Sequence, residues 1–309
     1  MRALVVTNMY PTPARPALGS FVRDQVEALR RIDGVEVEVF AFDPGSVRAY
    51  AKAARTLRQT HHRDNFDVVH AHFGLTAWPA FAARGHARAV TLHGTDLVHP
   101  RSRAITLAAL PVLDLVATVS EPLAAEVPRW AIWRTRTAVL PAGVDMERFR
   151  PIPRSEARRE LGLQPTARYL LFPADPARPE KRYDRARAAA PEDVQLLTLG
   201  NIDPAKVPLY VNAANAVLVP SERESFGLAV LEALACNVPV LATPVGIASD
   251  ALLGVAGTLC TPFEATAWRA ALKPHLEADD PRIDGRARAD AYSSDRMAAR
   301  VVSAWQSLS

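Results

Sequence analysis

The sequence predicts an α/β protein made of two doubly wound parallel-sheet halves, and three observations predict it. Short apolar runs alternate with longer stretches of helical period, the pattern of parallel strands covered by helices. The alternation runs twice through 309 residues, a length that suits two domains of about 150 residues, each burying its own core. Between the two runs lies Phe149-Arg150-Pro151-Ile152-Pro153-Arg154. Its prolines continue neither a helix nor a central strand and favour an extended connector. The boundary is placed there, with a first domain over 1–150 and a second over 151–292.

In the first half the short apolar, β-branched runs predict strands at Ala3–Thr7, Glu36–Phe40, Asp67–Ala71, Arg88–Leu92, Leu115–Val119 and Thr137–Leu140. Helical spacing between them predicts Ser20–Arg31, Val47–Leu57, Thr76–Arg84, Ser102–Leu110 and Glu121–Glu126. The second half repeats the scheme with strands at Tyr169–Phe172, Gln195–Leu199, Ala216–Val219, Val238–Ala242 and Gly257–Cys260. Its helices are expected at Arg182–Ala190, Ala205–Ala213, Gly227–Ala235, Ala265–Leu276 and Asp295–Leu308. Open parallel sheets bind ligands beyond the carboxyl ends of their strands. Two such sheets on a short linker place the expected active site in a cleft between the domains.

Composition narrows the classes. The chain is 49% apolar and 23% charged, which excludes a disordered tail, a collagen-like repeat and a disulfide-stapled mini-protein. Cys236 and Cys260 are the only cysteines, so a reduced, cytoplasmic setting is expected. Met1–Tyr10 reads as a first strand rather than a targeting segment. The residues up to Arg150 hold 19 Lys and Arg against 14 Asp and Glu, the remainder 18 against 19. That surplus is a solvated face or a surface for an anionic partner. No nucleic-acid module is present, and no nucleic-acid partner is expected. Arg48, Lys52 and Arg55 form one stripe of the Val47–Arg58 segment, a solvated face or a peripheral contact with anionic lipid.

The most informative stretch runs from Pro220 to Ala235. A buried strand ends, a polar turn follows, and a helix starts near Gly227, whose free N–H groups suit an anion. Glu224 stands just before those donors, and Glu232 lies within the helix among apolar residues. A carboxylate in apolar surroundings needs a partner, and vicinal hydroxyls supply one. On spacing alone this is equally a cap followed by a solvated glutamate. Three further segments sit at strand ends: Pro179-Glu180-Lys181 after Tyr169–Phe172, His93-Gly94-Thr95-Asp96 after Arg88–Leu92, and Gly19-Ser20 after the first strand. His70 and His72 share a strand face that invites a metal, but no third ligand is spaced to join them, and no metal is expected.

Glu224-Ser225-Phe226-Gly227-Leu228-Ala229-Val230-Leu231-Glu232, followed by Asn237-Val238-Pro239-Val240, resembles the signature of retaining glycosyltransferases of family four. The resemblance covers most of the chain and implies the GT-B fold, two Rossmann-like domains facing a cleft. It implies transfer of a sugar from a nucleotide diphosphate sugar to an acceptor hydroxyl, without metal or other cofactor. Glu224 would hold donor-sugar hydroxyls, Glu232 the ribose, and the amides around Ser225, Phe226, Gly227 and Leu228 the donor. Lys181 would bind the diphosphate. The arginine that the family places before that lysine is absent, Asp175 and Pro176 standing there, and Arg178 is the alternative cation. His93 would stand beside the reacting sugar, with Gly19 and Ser20 facing the donor phosphates. Ala142-Gly143-Val144-Asp145 resembles the family's approach to the linker, and Ser120 its cleft-facing serine. A closing helix over about 293–309 is expected to return to the first domain. The acceptor is expected to be a lipid-linked or small glycan. A non-catalytic nucleotide-sugar binder is the alternative, and an epimerase acting on the free donor a third.

Overall fold

A computed structural model describes residues 1–200 and 202–308; Ser309, the end of the expected closing helix, lies outside the described residues. The chain divides into two compact units, Met1–Gly143 with Ser294–Ser309, and Val144–Ser293.

The first unit is built on strands β1 (Arg2–Thr7), β2 (Glu36–Ala41), β3 (Phe66–His72), β4 (Gly85–Leu92), β5 (Leu115–Thr118) and β6 (Arg136–Val139), in the order β2-β1-β3-β4-β5-β6. Every pair is parallel. Helices on both faces bury the inner strands, which is why residues 3–6 of β1 and 115–117 of β5 read as continuous apolar runs. On one face the helix Ser20–Arg30 lays Val22, Val26 and Leu29 on Ala3 and Val5, and the closing helix Ser294–Gln306 adds Met297, Val301 and Trp305 to that core. Phe21, half-buried, packs against the edge of this core and stands beside His93, their ring centroids 4.9 Å apart.

The second unit carries β7 (Tyr169–Phe172), β8 (Gln195–Thr198), β9 (Ala216–Val219), β10 (Val240–Ala242) and β11 (Leu259–Cys260), ordered β11-β10-β9-β7-β8 and again all parallel. Leu170, Phe172, Leu218, Leu241, Trp268 and Leu272 form its core.

Three expectations are corrected by local chemistry. The helix expected over Thr76–Arg84 shrinks to Ala77–Ala80 behind a single 3₁₀ turn. Residues 81–83 close as turns, and the Arg84 carbonyl accepts from the N–H of Phe66 just ahead of β4, which starts at Gly85. Strand β10 starts at Val240 rather than Val238, because Pro239 has no N–H to give a ladder. The Phe149–Arg154 connector is not free. Arg286 donates to the carbonyls of Met146 and Phe149, Arg282 donates to that of Ile152, and a helix starts at Arg154. The chain therefore joins the second unit at Val144, whose N–H donates to Tyr292. After the helix Val47–Thr60, His61 is mostly covered, with Nδ1 2.9 Å from Asp64 Oδ2 and its ring edge-on to Phe66.

Both sheets reverse direction once, and that positions the chemistry. In the first, β2 lies on one side of β1 and β3 on the other; in the second, β8 and β9 flank β7 in the same way. The loops leaving the two strands at such a point diverge and open a crevice at their carboxyl ends.

Candidate active site

In the second unit the loops after β7 and β9 meet at the reversal point. The N–H of Glu222 donates to the carbonyl of Glu180 at 2.9 Å, and Arg185 reaches the carbonyl of Pro220 at 3.2 Å. This clasp brings Lys181 to Glu224. The ammonium Nζ donates to both carboxylate oxygens, at 2.6 and 2.7 Å, with the two side chains 17% and 10% exposed. Ser221 Oγ adds a third donor to Glu224 Oε1 at 2.7 Å. A carboxylate so shielded is tolerated because donors surround it.

Beside the pair, the helix Leu228–Ala235 starts from Gly227 at φ +99°, a left-handed conformation that favours glycine. Among the described residues no side chain caps this helix, so the leading amides at Leu228 and Ala229 keep the N–H groups of a helix start. Glu232 lies on the same helix, half-buried. Phe226 is buried edge-on to Tyr292, and its carbonyl accepts from the N–H of Ile247 at 2.6 Å. That contact needs Gly246, where a Cβ would stand 2.3 Å from the Phe226 carbonyl oxygen. Arg178 does not join the group: its guanidinium is held by Glu180 at 2.7 and 2.9 Å and is mostly exposed. Asp175 caps its own loop through the N–H of Ala177.

In the first unit the reversal point lies between β1 and β3. Gly19, at φ +64°, precedes Ser20 at the start of the helix Ser20–Arg30, and a Cβ there would stand 2.2 Å from the Met9 carbonyl oxygen. Phe21, one residue on, covers His93, and Phe73 covers it from another side with centroids 4.6 Å apart. Phe73 adopts φ +76°, an outlier for an aromatic residue that costs on the order of 1–3 kcal/mol and tends to sit at functional sites. Asp96 ties the β3 loop to the β4 loop: its two carboxylate oxygens accept from the N–H groups of Gly74 and His93, each at 2.6 Å. Burial raises its pKa. Ser120 Oγ caps the helix Glu121–Ala125 through the N–H of Leu123 at 3.4 Å.

The third histidine that sequence spacing did not supply is His93. His70 and His72 on β3 and His93 after β4 form a file of rings 5.1 and 5.2 Å apart. The rings stack rather than converge, and among the described residues no group of three or more histidine, cysteine or carboxylate side chains suits a metal. Burial pushes His72 down to about 4 and holds His70 and His93 well below the ordinary histidine range. Sequence reasoning missed Ser221, Gly246, Phe73 and the structural role of Asp96. Of these only Gly246, beside Pro244 and Val245, carried a turn signal.

The chemistry so assembled is an ammonium, a shielded carboxylate and an uncapped helix start at one strand-end crevice, and a shielded imidazole at another. Residues 18–148 match the family described as Glycosyltransferase Family 4, and residues 168–292 match Glycosyl transferases group 1. The chain belongs to the group 1, family-four glycosyltransferases. Among curated relatives, the D-inositol 3-phosphate glycosyltransferase of Geodermatophilus obscurus is 28% identical, over 85% of this chain and 71% of its own length. That of Actinosynnema mirum is 29% identical, over 85% and 77%. Among solved structures, sucrose-phosphate synthase from Thermosynechococcus elongatus is similar with a TM-score of 0.77 at 20% identity, over 100% of this chain and 99% of that one. Anabaena HepE in complex with UDP and glucose is similar at 0.73 and 18%, over 98% and 99%. These likenesses show that the glycosyltransferase has the GT-B fold class, two Rossmann-like parallel-sheet domains. Among its described residues no helix is long and apolar enough to cross a membrane.

Proposed function

We propose that this glycosyltransferase moves a sugar from a nucleoside diphosphate sugar to an acceptor hydroxyl, with retained anomeric configuration and without a metal. The observation that carries the reading is the Lys181–Glu224 pair, set at a sheet reversal beside an uncapped helix start. The complexes of HepE with UDP and with UDP-glucose support a nucleoside diphosphate sugar as donor.

Bond cleavage at the anomeric carbon leaves negative charge on the diphosphate. Lys181 supplies the compensating ammonium, and the amides from Ser225 to Leu228 supply oriented dipoles. The ring that is left carries positive charge, and Glu224 holds its hydroxyls in register once Lys181 turns to the phosphate. Glu232 takes the ribose hydroxyls. His93 serves the sugar, and Gly19 and Ser20 the phosphates. With Arg178 tied to Glu180, Lys181 is the cation on which the reaction depends.

The acceptor is a hydroxyl of a lipid-linked or small glycan, in cell-surface glycan or glycolipid synthesis, met at a membrane through the basic stripe on the helix Val47–Thr60. The names of the inositol phosphate-directed relatives favour a second reading, a small soluble polyol acceptor. Assaying transfer with a panel of donors against both acceptor classes separates them. Lys181→Ala is expected to lower kcat about 10²–10³-fold with little change in donor KM, and a chelator to leave the wild-type rate unchanged. A Lys181→Ala enzyme with wild-type turnover refutes the assignment, and an inverted product anomer refutes the stereochemistry.

A further inference from the structure

The file of histidines holds more than burial requires. At its inner end the indole Nε1–H of Trp305, on the closing helix, donates to His70 Nδ1 at 2.9 Å. A neutral imidazole has one donor and one acceptor nitrogen, so His70 carries its proton on Nε2 and donates it to Thr91 Oγ1, 2.8 Å away. At the outer end His72 Nδ1 and His93 Nε2 stand 3.0 Å apart. Two neutral rings share that bond in one of two ways.

If His93 Nε2–H donated, the proton of His72 would sit on Nε2. That atom is buried and has no hydrogen-bond partner among the described residues. A buried N–H without an acceptor is rarer and costlier than an acceptor without a donor. The other arrangement places the proton of His72 on Nδ1, inside the bond, and leaves only a lone pair uncovered. His93 then accepts on Nε2 and carries its own proton on Nδ1. The ring of His93 is clamped between Phe21 and Phe73, and its backbone is held by Asp96. His70 and His72 are fully buried, and His93, the outermost residue of the file, is partly covered.

We infer that His72 is a positioning residue: its Nδ1–H donates to His93 Nε2 and holds His93 as the tautomer that presents an N–H to the sugar. His93 is then a hydrogen-bond donor to a hydroxyl oxygen and not a base that removes a proton. The functional half of this inference rests on the proposed place of His93 beside the sugar; the tautomer does not.

Nitrogen-15 spectra of the imidazoles of the whole enzyme report which ring nitrogen is protonated. The expected result is Nδ1–H for both His72 and His93 and Nε2–H for His70. A wild-type His93 protonated on Nε2 overturns the inference. Substitution separates positioning from packing. In His72→Asn the side-chain amide keeps an N–H near the Nδ1 position, and turnover is expected within about threefold of wild type with the His93 tautomer retained. In His72→Leu the volume remains but the donor is gone. The His93 signals should then show exchange between tautomers, and kcat should fall at least about tenfold with donor binding nearly unchanged. Equal loss in both variants, with His93 unaltered, overturns the role. Failure of the underlying reading looks different: His93→Ala transfers sugar at the wild-type rate while the wild-type tautomers stand as stated.

Discussion

A buried imidazole is a titratable group that folding keeps neutral, and the first unit stacks three of them. In the unfolded chain they take protons near 6.5, whereas burial lowers His72 to about 4 and His70 and His93 well below the ordinary value. Below 6.5 the unfolded state binds more protons, so the stability these rings contribute is whole above that pH. It is lost as the pH falls from 6.5 towards 4, at up to about 1.4 kcal/mol per pH unit for each ring. Thermal unfolding followed from pH 7 to pH 5 is expected to show a falling Tm, and His72→Gln a shallower fall. A Tm flat across that range contradicts the buried, neutral rings. Legibility at this scale was uneven. Glu224, Gly227 and Lys181 stood out because strand, turn and helix followed one another at readable spacing. The link from His72 to His93 did not, since a period-two strand pattern does not say which loop residue lies across from its end. Arg178 is paired with Glu180, two residues on, and no spacing rule ranks that contact above a ligand.

Helices and strands were legible wherever burial imposed a period. Strands β7 and β9, and residues 3–6 of β1, are apolar because both faces are covered. The helices Arg154–Glu160, Ala248–Leu252 and Arg286–Asp290 were not read, being too short for an apolar period to repeat. The helix Val47–Thr60 shows what periodicity can do for a surface. It buries Ala53 and Leu57 and leaves Arg48, Lys52 and Arg55 exposed in a stripe. A basic residue near an anionic bilayer contributes about 1 kcal/mol. Cosedimentation with vesicles containing phosphatidylserine should therefore retain the wild-type enzyme, and the Arg48→Glu, Lys52→Glu, Arg55→Glu triple variant should lose on the order of 10²-fold in binding. Equal retention of both proteins, or equal binding to neutral vesicles, removes this helix from any membrane role.

On the scale of the whole molecule, the same architectural rule has been applied twice. Each unit reverses its sheet once, and each gathers its chemistry on the loops leaving the two strands at that reversal. Strand order cannot be read from one sequence, so the place of the reversals emerges only from the fold, although the alternation that produces them was plain. The second unit carries the central claim, that its crevice holds a nucleoside diphosphate sugar with Glu232 on the ribose and Lys181 on the diphosphate. Isothermal titration of the enzyme with nucleoside diphosphates and their sugars tests it most directly. The account predicts saturable binding of one such family of ligands, weakened at least about tenfold in Glu232→Ala through loss of a hydrogen bond to a charged group. Binding of that ligand with the same affinity to wild type and to Glu232→Ala, or binding of none of them, would contradict it.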